Sequence, residues 1–286
     1  MPLIPMHALL ADAEKGGYAL PAINFSNLEV LHPALEAAKE LNSPLIMQMA
    51  TSEVYYFGED ATGEFVERAA QRYGVRIALH LDHGREYEEA IRCIKRGFSS
   101  VMFDGSSLSF NDNVKGTLEV VKAAHAAGVS VEGEIGKILG AEDAGYEEAG
   151  QDELSDPQAA ADFAKATGVD CLAVAIGTAH GFYKKEPKLD FDRLKKIREL
   201  TNNLPIVLHG GTGVSGEAIQ QAIKLGVRKI NFSTVIRAEY IKAFRRATND
   251  NPEEWGLMEL SEFGKAKVKE TVANCIKLMG SANRVK

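Results

Sequence analysis

Eight short apolar runs alternating with amphipathic helical segments, polar residues at the carboxyl end of nearly every run, and a length of 286 residues predict an α/β fold of the (β/α)8 TIM barrel class. Such alternation builds a parallel sheet, open or closed. An open sheet gathers its site at one switch point, whereas a ring lets groups from all strand ends converge. The polar ends are spread along the whole chain, which selects the ring. The length agrees, because a barrel of this class takes about 250 residues as one unit. The span 1–286 is therefore expected to be a single barrel domain with an additional C-terminal helix.

The expected strands are Leu20 to Asn24, Leu45 to Met49, Ile77 to Asp82, Ser100 to Asp104, Val129 to Glu134, Cys171 to Ile176, Ile206 to His209 and Arg228 to Asn231. Between them, Glu86 to Arg96, Val114 to Ala127, Pro157 to Thr167, Phe191 to Leu200 and Glu217 to Leu225 have helical spacing. Gly97, Gly128, Gly168 and Gly226 sit just before the next strand, as helix-terminating glycines do. Ser26 with Glu29 reads as a capping box, and Asp156 before Pro157 as an N-cap with proline at the first helical position. Pro33 conflicts locally, falling inside the first inter-strand helix. Leu257 to Gly280 continues as a long amphipathic helix that covers the barrel or meets a second subunit. Leu139 to Ser155, rich in glycine and acid, is the one long irregular segment and reads as a lid above the active face.

Composition narrows the function. Hydrophobic residues make up 45% and charged residues 26%, enough for a large packed core. A formal net charge of -7 argues against nucleic acid or an anionic membrane as the main partner. The chain opens without a charged segment leading into a long apolar one, so neither a secretion signal nor a membrane span is expected. Cys93, Cys171 and Cys275 are odd in number and far apart, which suits reduced, packed thiols in a cytoplasmic protein.

The chemistry gathers at strand ends. Ile77-Ala78-Leu79-His80-Leu81-Asp82-His83-Gly84 is an apolar run that ends abruptly in reactive groups. Alternation puts His80 and Asp82 on one side of the strand, and Gly84 permits His83 to turn toward a shared centre. His83, His180 and His209, each followed by glycine at the same face, offer three imidazole ligands with an open position, the arrangement of a catalytic zinc. His80 lies one step deeper and orients a neighbour. His7, His32 and His125 lie in helical context and read as surface or packing residues. Asp82 is placed to exchange a proton with a bound substrate. Asp104 and Glu134, with Glu132, either bind a second cation, hold the histidines, or form an internal polar layer with Lys229 or Arg228. Asn24 is a further polar strand end on the substrate side. Gly210-Gly211-Thr212-Gly213 and Asn231-Phe232-Ser233-Thr234 follow the seventh and eighth strands just ahead of helices, where barrel enzymes bind phosphate. Arg237, one turn on, has the planar fork to meet a second phosphate. A metal and a phosphate cradle at one mouth fit carbon–carbon bond cleavage through an enediolate.

Five ordered motifs, His80-Leu81-Asp82-His83-Gly84, Glu132-Gly133-Glu134-Ile135-Gly136, His180-Gly181-Phe182-Tyr183-Lys184, Leu208-His209-Gly210-Gly211-Thr212-Gly213 and Lys229-Ile230-Asn231, resemble the class II, zinc-dependent ketose-bisphosphate aldolases. The resemblance implies a (β/α)8 barrel, a homodimer or homotetramer, zinc on His83, His180 and His209, and Asp82 as proton donor or acceptor at the C4 hydroxyl. It implies an alternative metal position at Asp104 and Glu134, and proton transfer at the dihydroxyacetone phosphate carbon by Glu142. It places dihydroxyacetone phosphate against Gly181, Gly210, Gly211, Thr212, Asn231, Ser233 and Thr234 with a monovalent cation, Na+ or K+, and the distal phosphate against Arg237. Two departures fall near the sugar: Ser107 and Ser109 stand where the fructose enzymes usually have His and Pro, and Ser233 replaces an acid or amide.

The expectation is a lyase that cleaves a ketose 1,6-bisphosphate of the fructose or tagatose type to dihydroxyacetone phosphate and an aldehyde such as glyceraldehyde 3-phosphate. Alternatives are a relative acting on another ketose 1-phosphate, a metal-dependent barrel hydrolase, a Schiff-base aldolase using Lys229, and a non-catalytic sugar-phosphate sensor.

Overall fold

The computed structural model of the chain describes residues 3–138 and 154–285. Among these residues the chain runs α1 (Met6–Gly16), β1 (Leu20–Asn24), α2 (Leu28–Glu40), β2 (Leu45–Ala50), α3 (Thr51–Phe57), α4 (Thr62–Tyr73), β3 (Ile77–Gly84), α5 (Tyr87–Lys95), β4 (Ser100–Phe103), α6 (Phe110–Ala126), β5 (Ser130–Ile135), α7 (Pro157–Thr167), β6 (Cys171–Val174), α8 (Phe191–Leu200), β7 (Ile206–Leu208), α9 (Gly216–Lys224), β8 (Val227–Phe232), α10 (Thr234–Asp250) and α11 (Leu257–Met279). The eight strands pair in parallel, each with the next, and β8 pairs with β1 to close the barrel. The ring predicted from the polar strand ends is the ring observed. Every expected strand forms, with ends shifted by up to two residues.

Two layers of packing follow from side-chain alternation. Outward residues such as Ile23, Met47, Leu79, Val101, Val131, Leu172, Leu208 and Ile230 join the helices in the main core. Inward residues at the amino-terminal end of the ring, Leu20, Ala22, Ile46, Ala78, Cys171, Ala173 and Val207, pack instead on Met6, Leu9, Leu10 and Ala13 of α1. These four recur at helical spacing and make α1 the plug of that end. The plug leaves the upper interior to polar groups.

α11 packs on α2 and α10, and Val268, Val272, Ile276 and Met279 enter the main core. It therefore covers the barrel wall. Two local expectations change. The N-cap of α2 is Asn27, whose side chain accepts from the Val30 N–H, so Ser26 is not the capping residue. Pro33 lies buried within α2, which runs on through it.

The three set-aside histidines serve structure: His7 meets Ser130, His32 meets Tyr73 and His125 meets Asp170. All three cysteines are buried and unpaired, and burial pushes the Cys93 and Cys275 thiols up to about 12, consistent with packing. Among the described residues no helix is long and apolar enough to cross a membrane.

If α1 is the plug, Leu9→Ala, at a fully buried position, lowers stability by about 2–5 kcal/mol. Denaturant unfolding checks this, and a loss under about 1 kcal/mol contradicts the role.

Candidate active site

The inner face of the barrel changes character above the plug. Gln48, His80, Ser100, Glu132 and Lys229 are buried there, with Asn24, Asp82, Glu134, His209 and Asn231 above them. Buried polar groups cost free energy unless paired, and most of these are paired. Lys229 Nζ lies 2.9 Å from Glu132 Oε2, and His209 Nε2 donates to Glu132 Oε1 at 2.8 Å. His80 Nδ1 meets Ser100 Oγ at 2.8 Å, and its other nitrogen faces Glu132 at 3.4 Å. Burial and the Lys229 charge hold His80 well below its usual pKa, so it is neutral.

Three imidazoles converge at the carboxyl end of the ring. The nitrogens of His83, His180 and His209 lie within 4.8 Å of one another. His83 reaches its place through its own backbone: φ is 50°, in the left-handed region, which costs a non-glycine residue roughly 1–2 kcal/mol. The register slips at this point between β3 and β4, as a bulge requires. Gly84 was expected to make the turn, but its contribution is space. A Cβ there would stand 2.7 Å from Leu81 Cδ2 and 2.8 Å from the Met102 carbonyl oxygen.

Hydrogen bonds around the centre set where its protons sit. His83 Nδ1 is 3.0 Å from Asp104 Oδ2, so its proton points there, and the His209 Nε2 proton points at Glu132. The remaining nitrogens, His83 Nε2 and His209 Nδ1, face each other at 3.0 Å. Two lone pairs at that distance require a positive charge between or beside them. Burial lowers the pKa of His83, but Asp82, the Asp104 hydrogen bond and Glu134 outweigh it and raise the group to about 10. His180 is held near 4 by burial and by His83, and His209 lies well below its ordinary value for the same two reasons. Glu134 adds a buried Oε2 without a hydrogen bond, 3.8 Å from His209 Nδ1. Burial and Asp104 push Glu134 up to about 8, while Asp104 is held well below the usual range despite burial, chiefly by His83 and Ser106. A divalent cation fits this donor set: three nitrogens, two of them fixed from behind by carboxylates. His83, Asp104 and Glu134 form a second group of the same span.

Beside the histidines, Asp82 is a hydrogen-bond hub. Oδ2 accepts from Asn24 Nδ2 and Gln48 Nε2, both at 3.0 Å, and Oδ1 accepts from Asn231 Nδ2 at 3.2 Å. Burial raises its pKa, but His83, Lys229, His209 and the Asn24 hydrogen bond bring it to about 2, so it is ionised at neutral pH. A pocket lined by His180, Gly181, Gly210, Thr212, Asn231, Ser233 and Thr234 opens next to it. Ser233 Oγ and Asn231 Oδ1 are buried there without hydrogen bonds.

Comparison with known proteins supplies the family. A sequence model described as fructose-bisphosphate aldolase class-II matches residues 4–284. The chain belongs to the class II fructose-bisphosphate aldolase family. Its members are lyases. A protein of Helicobacter pylori (strain ATCC 700392 / 26695) named fructose-bisphosphate aldolase is 38% identical over 307 residues, covering 99% of this chain and 100% of that protein. The crystal structure of the YdjI aldolase from Escherichia coli K12 is 33% identical with a TM-score of 0.86, covering 99% of this chain and 100% of that one. The fructose-bisphosphate aldolase of Campylobacter jejuni, at 22% identity and a TM-score of 0.85 over 99% of this chain and 97% of that one, has the same fold.

Within this class II aldolase family member, the residues singled out from sequence fall into three groups. Asp82, His83, His180, His209, Asp104, Glu134, Asn24 and Asn231 come together in one network. Gly181, Gly210, Thr212, Ser233 and Thr234 line the adjoining pocket with His180 and Asn231. Gly211 is not among its lining residues: its N–H donates to the Asn231 carbonyl, and a Cβ would meet Ile230 at 2.6 Å, so it fits β7 against β8. Glu142 lies outside the described residues. Of the pairings considered for the inner carboxylates, Lys229 takes Glu132, whereas Arg228 reaches Glu14 at 2.7 Å. Lys229 is thus an internal counter-ion rather than an exposed nucleophile.

Sequence reasoning missed two residues. Glu53 of α3 accepts from Asn24 Nδ2 at 3.3 Å and from the Ala50 N–H at 2.9 Å. Its position in the connection after β2 was the signal available. The Tyr183 hydroxyl is within 2.8 Å of the carbonyls of both Ala179 and Gly210 and accepts from the Ala179 N–H at 2.7 Å, fastening the loops after β6 and β7 together. Tyr183→Phe leaves that N–H and both carbonyls without this partner, at a cost of about 1–3 kcal/mol. Thermal unfolding reads the loss, and an unchanged midpoint contradicts the fastening role.

Proposed function

We propose that the protein reversibly cleaves a ketose phosphate, with a ketose 1,6-bisphosphate of the fructose or tagatose type as first candidate, to dihydroxyacetone phosphate and an aldehyde such as glyceraldehyde 3-phosphate. The observation that carries this reading is the meeting of three imidazoles, an ionised Asp82 and a polar pocket at one barrel mouth. His83, His180 and His209 would hold zinc, with Asp104 and Glu134 as orienting groups or an alternative position. The chemistry zinc supplies when bound by these three is electrophilic, polarising a ketone oxygen and stabilising the charge that develops on it.

The remaining work falls to the chain. Gly181, Gly210, Thr212, Ser233 and Thr234 would take the C1 phosphate, Thr234 at the first turn of α10, where helix N–H groups and potential favour an anion. A monovalent cation, Na+ or K+, is expected beside them. Asn24, Gln48 and Asn231 fix both Asp82 oxygens, so the carboxylate is oriented before substrate arrives. Asp82 takes the C4 hydroxyl proton, the C3–C4 bond breaks, the aldehyde carbonyl forms at C4, and the bonding electrons pass to C3. Glu142, by the family resemblance, returns a proton to C3. Arg237 supports a bisphosphate, and a ketose 1-phosphate of different length is the alternative within the same reaction. The cytoplasmic setting and the homodimer or homotetramer remain part of this reading; exposed Trp255, Leu257, Met258 and Phe263 support self-association.

A triose-phosphate assay over ketose mono- and bisphosphates tests the proposal. Release of triose phosphate that chelator abolishes and zinc restores is the expected result, and release of inorganic phosphate alone overturns it. Asp82→Ala should lower kcat by about 10²–10⁴-fold with zinc content unchanged. Parent-like kcat in that variant removes Asp82 from the mechanism.

A further inference from the structure

The mouth contains a carboxylate that the steps above leave idle. Glu53 is half-buried at the start of α3. Its Oε2 accepts from the Ala50 N–H and from Asn24 Nδ2, and the same Asn24 nitrogen donates to Asp82. One side chain therefore separates Glu53 from the candidate base. Both of these hydrogen bonds fall on Oε2. Arg237 is close enough for its charge to favour the ionised form of Glu53.

Topology says which part of a substrate this carboxylate would meet. The pocket for the C1 phosphate is built from the connections after β6, β7 and β8. Asn24 ends β1, Glu53 follows β2 and Asp82 is near the end of β3, three neighbouring strands of the ring. A ketose with its phosphate in the pocket and its C4 hydroxyl at Asp82 carries the rest of its chain over the β1 to β3 side. That side displays a carboxylate. A phosphate placed there would gain from Arg237 but would also face the charge of half-buried Glu53, and like charges repel more strongly away from bulk water.

We propose that Glu53 is a specificity-determining residue: it accepts a hydrogen bond from a hydroxyl beyond C4 and opposes a phosphate at that end, so that the site favours a ketose 1-phosphate with an unphosphorylated, hydroxyl-bearing tail. This rests on the aldolase reading and reverses the order of its two substrate classes, placing the ketose 1-phosphate ahead of the bisphosphate that Arg237 alone would favour. The competing role is structural, with Glu53 holding only the first turn of α3 and Asn24. Burial pushes its pKa up to about 7, against the Ala50 and Asn24 hydrogen bonds, so the test is set at pH 8, where the charge is mostly present.

The zinc-loaded protein condenses dihydroxyacetone phosphate with D-glyceraldehyde or with D-glyceraldehyde 3-phosphate, and kcat/KM is measured for each. Glu53→Gln keeps the size and an acceptor oxygen while removing the charge. The expected result is a parent that prefers glyceraldehyde and a variant whose ratio moves about tenfold toward the phosphorylated aldehyde, the scale of one like-charge contact in a partly solvated cleft. Because both rates come from one sample, a partly unfolded variant leaves the ratio intact. Glu53→Ala should move the ratio the same way while losing more glyceraldehyde activity, since it also removes the acceptor. Equal loss on both aldehydes makes Glu53 a structural residue and overturns the inference. A parent that forms aldol product and prefers the phosphorylated aldehyde also overturns it, with the aldolase reading intact. A parent that condenses neither aldehyde overturns both.

Discussion

Glu132 is the group on which the interior of the barrel depends. One oxygen accepts from His209 and the other pairs with Lys229 while facing His80. The carboxylate thereby ties β3, β5, β7 and β8 across the axis and fixes which His209 nitrogen points up. A buried ion pair of this kind is costly to break, about 3–5 kcal/mol when one partner is removed, because the survivor is left charged and dry. It gives little stability over an apolar core of the same volume. Its return is orientation. The apolar filling that a barrel needs is moved down to α1 and the lowest inward residues, which frees the upper layers for chemistry.

Above Glu132 the arrangement favours positive charge where the three imidazoles meet. Asp82, Asp104 and Glu134 surround His83, and the protons of His83 and His209 are both drawn outward to carboxylates. Those carboxylates raise the pKa of His83 to about 10. A divalent ion there would meet the same preference, with the imidazole of His180 packed against His83 at a ring-centroid distance of 4.9 Å. The same electrostatics keep Asp82 ionised and so able to accept a proton. The hub of Asn24, Gln48 and Asn231 then determines where that proton can come from.

Much of this was legible in the sequence for a simple reason. Strand alternation and barrel closure are rules of period and topology, and polar residues at the ends of apolar runs break the pattern only where a site requires it. Hence Asp82, His83, His209 and Asn231 could be singled out, and the barrel with them. The positive φ of His83 could not, since the bulge that creates it depends on the register with β4. α1 was overlooked because its apolar face has meaning only against the open end of a ring formed later in the chain. Glu53, outside every motif that the strand ends single out, gains its contact only when β1 brings Asn24 beside it. Ser26 lost the cap to its neighbour Asn27 by one residue, within the usual uncertainty of a helix boundary.

The central claim is that three imidazoles distant in sequence share one cation. Crystals of the protein grown with zinc and measured on both sides of the zinc absorption edge test it most directly. The account predicts one strong anomalous peak per chain, bonded to nitrogens of His83, His180 and His209 at about 2.0–2.1 Å. A peak elsewhere, or a vacant centre with His83 hydrogen-bonded to His209 in the presence of excess zinc, would contradict it.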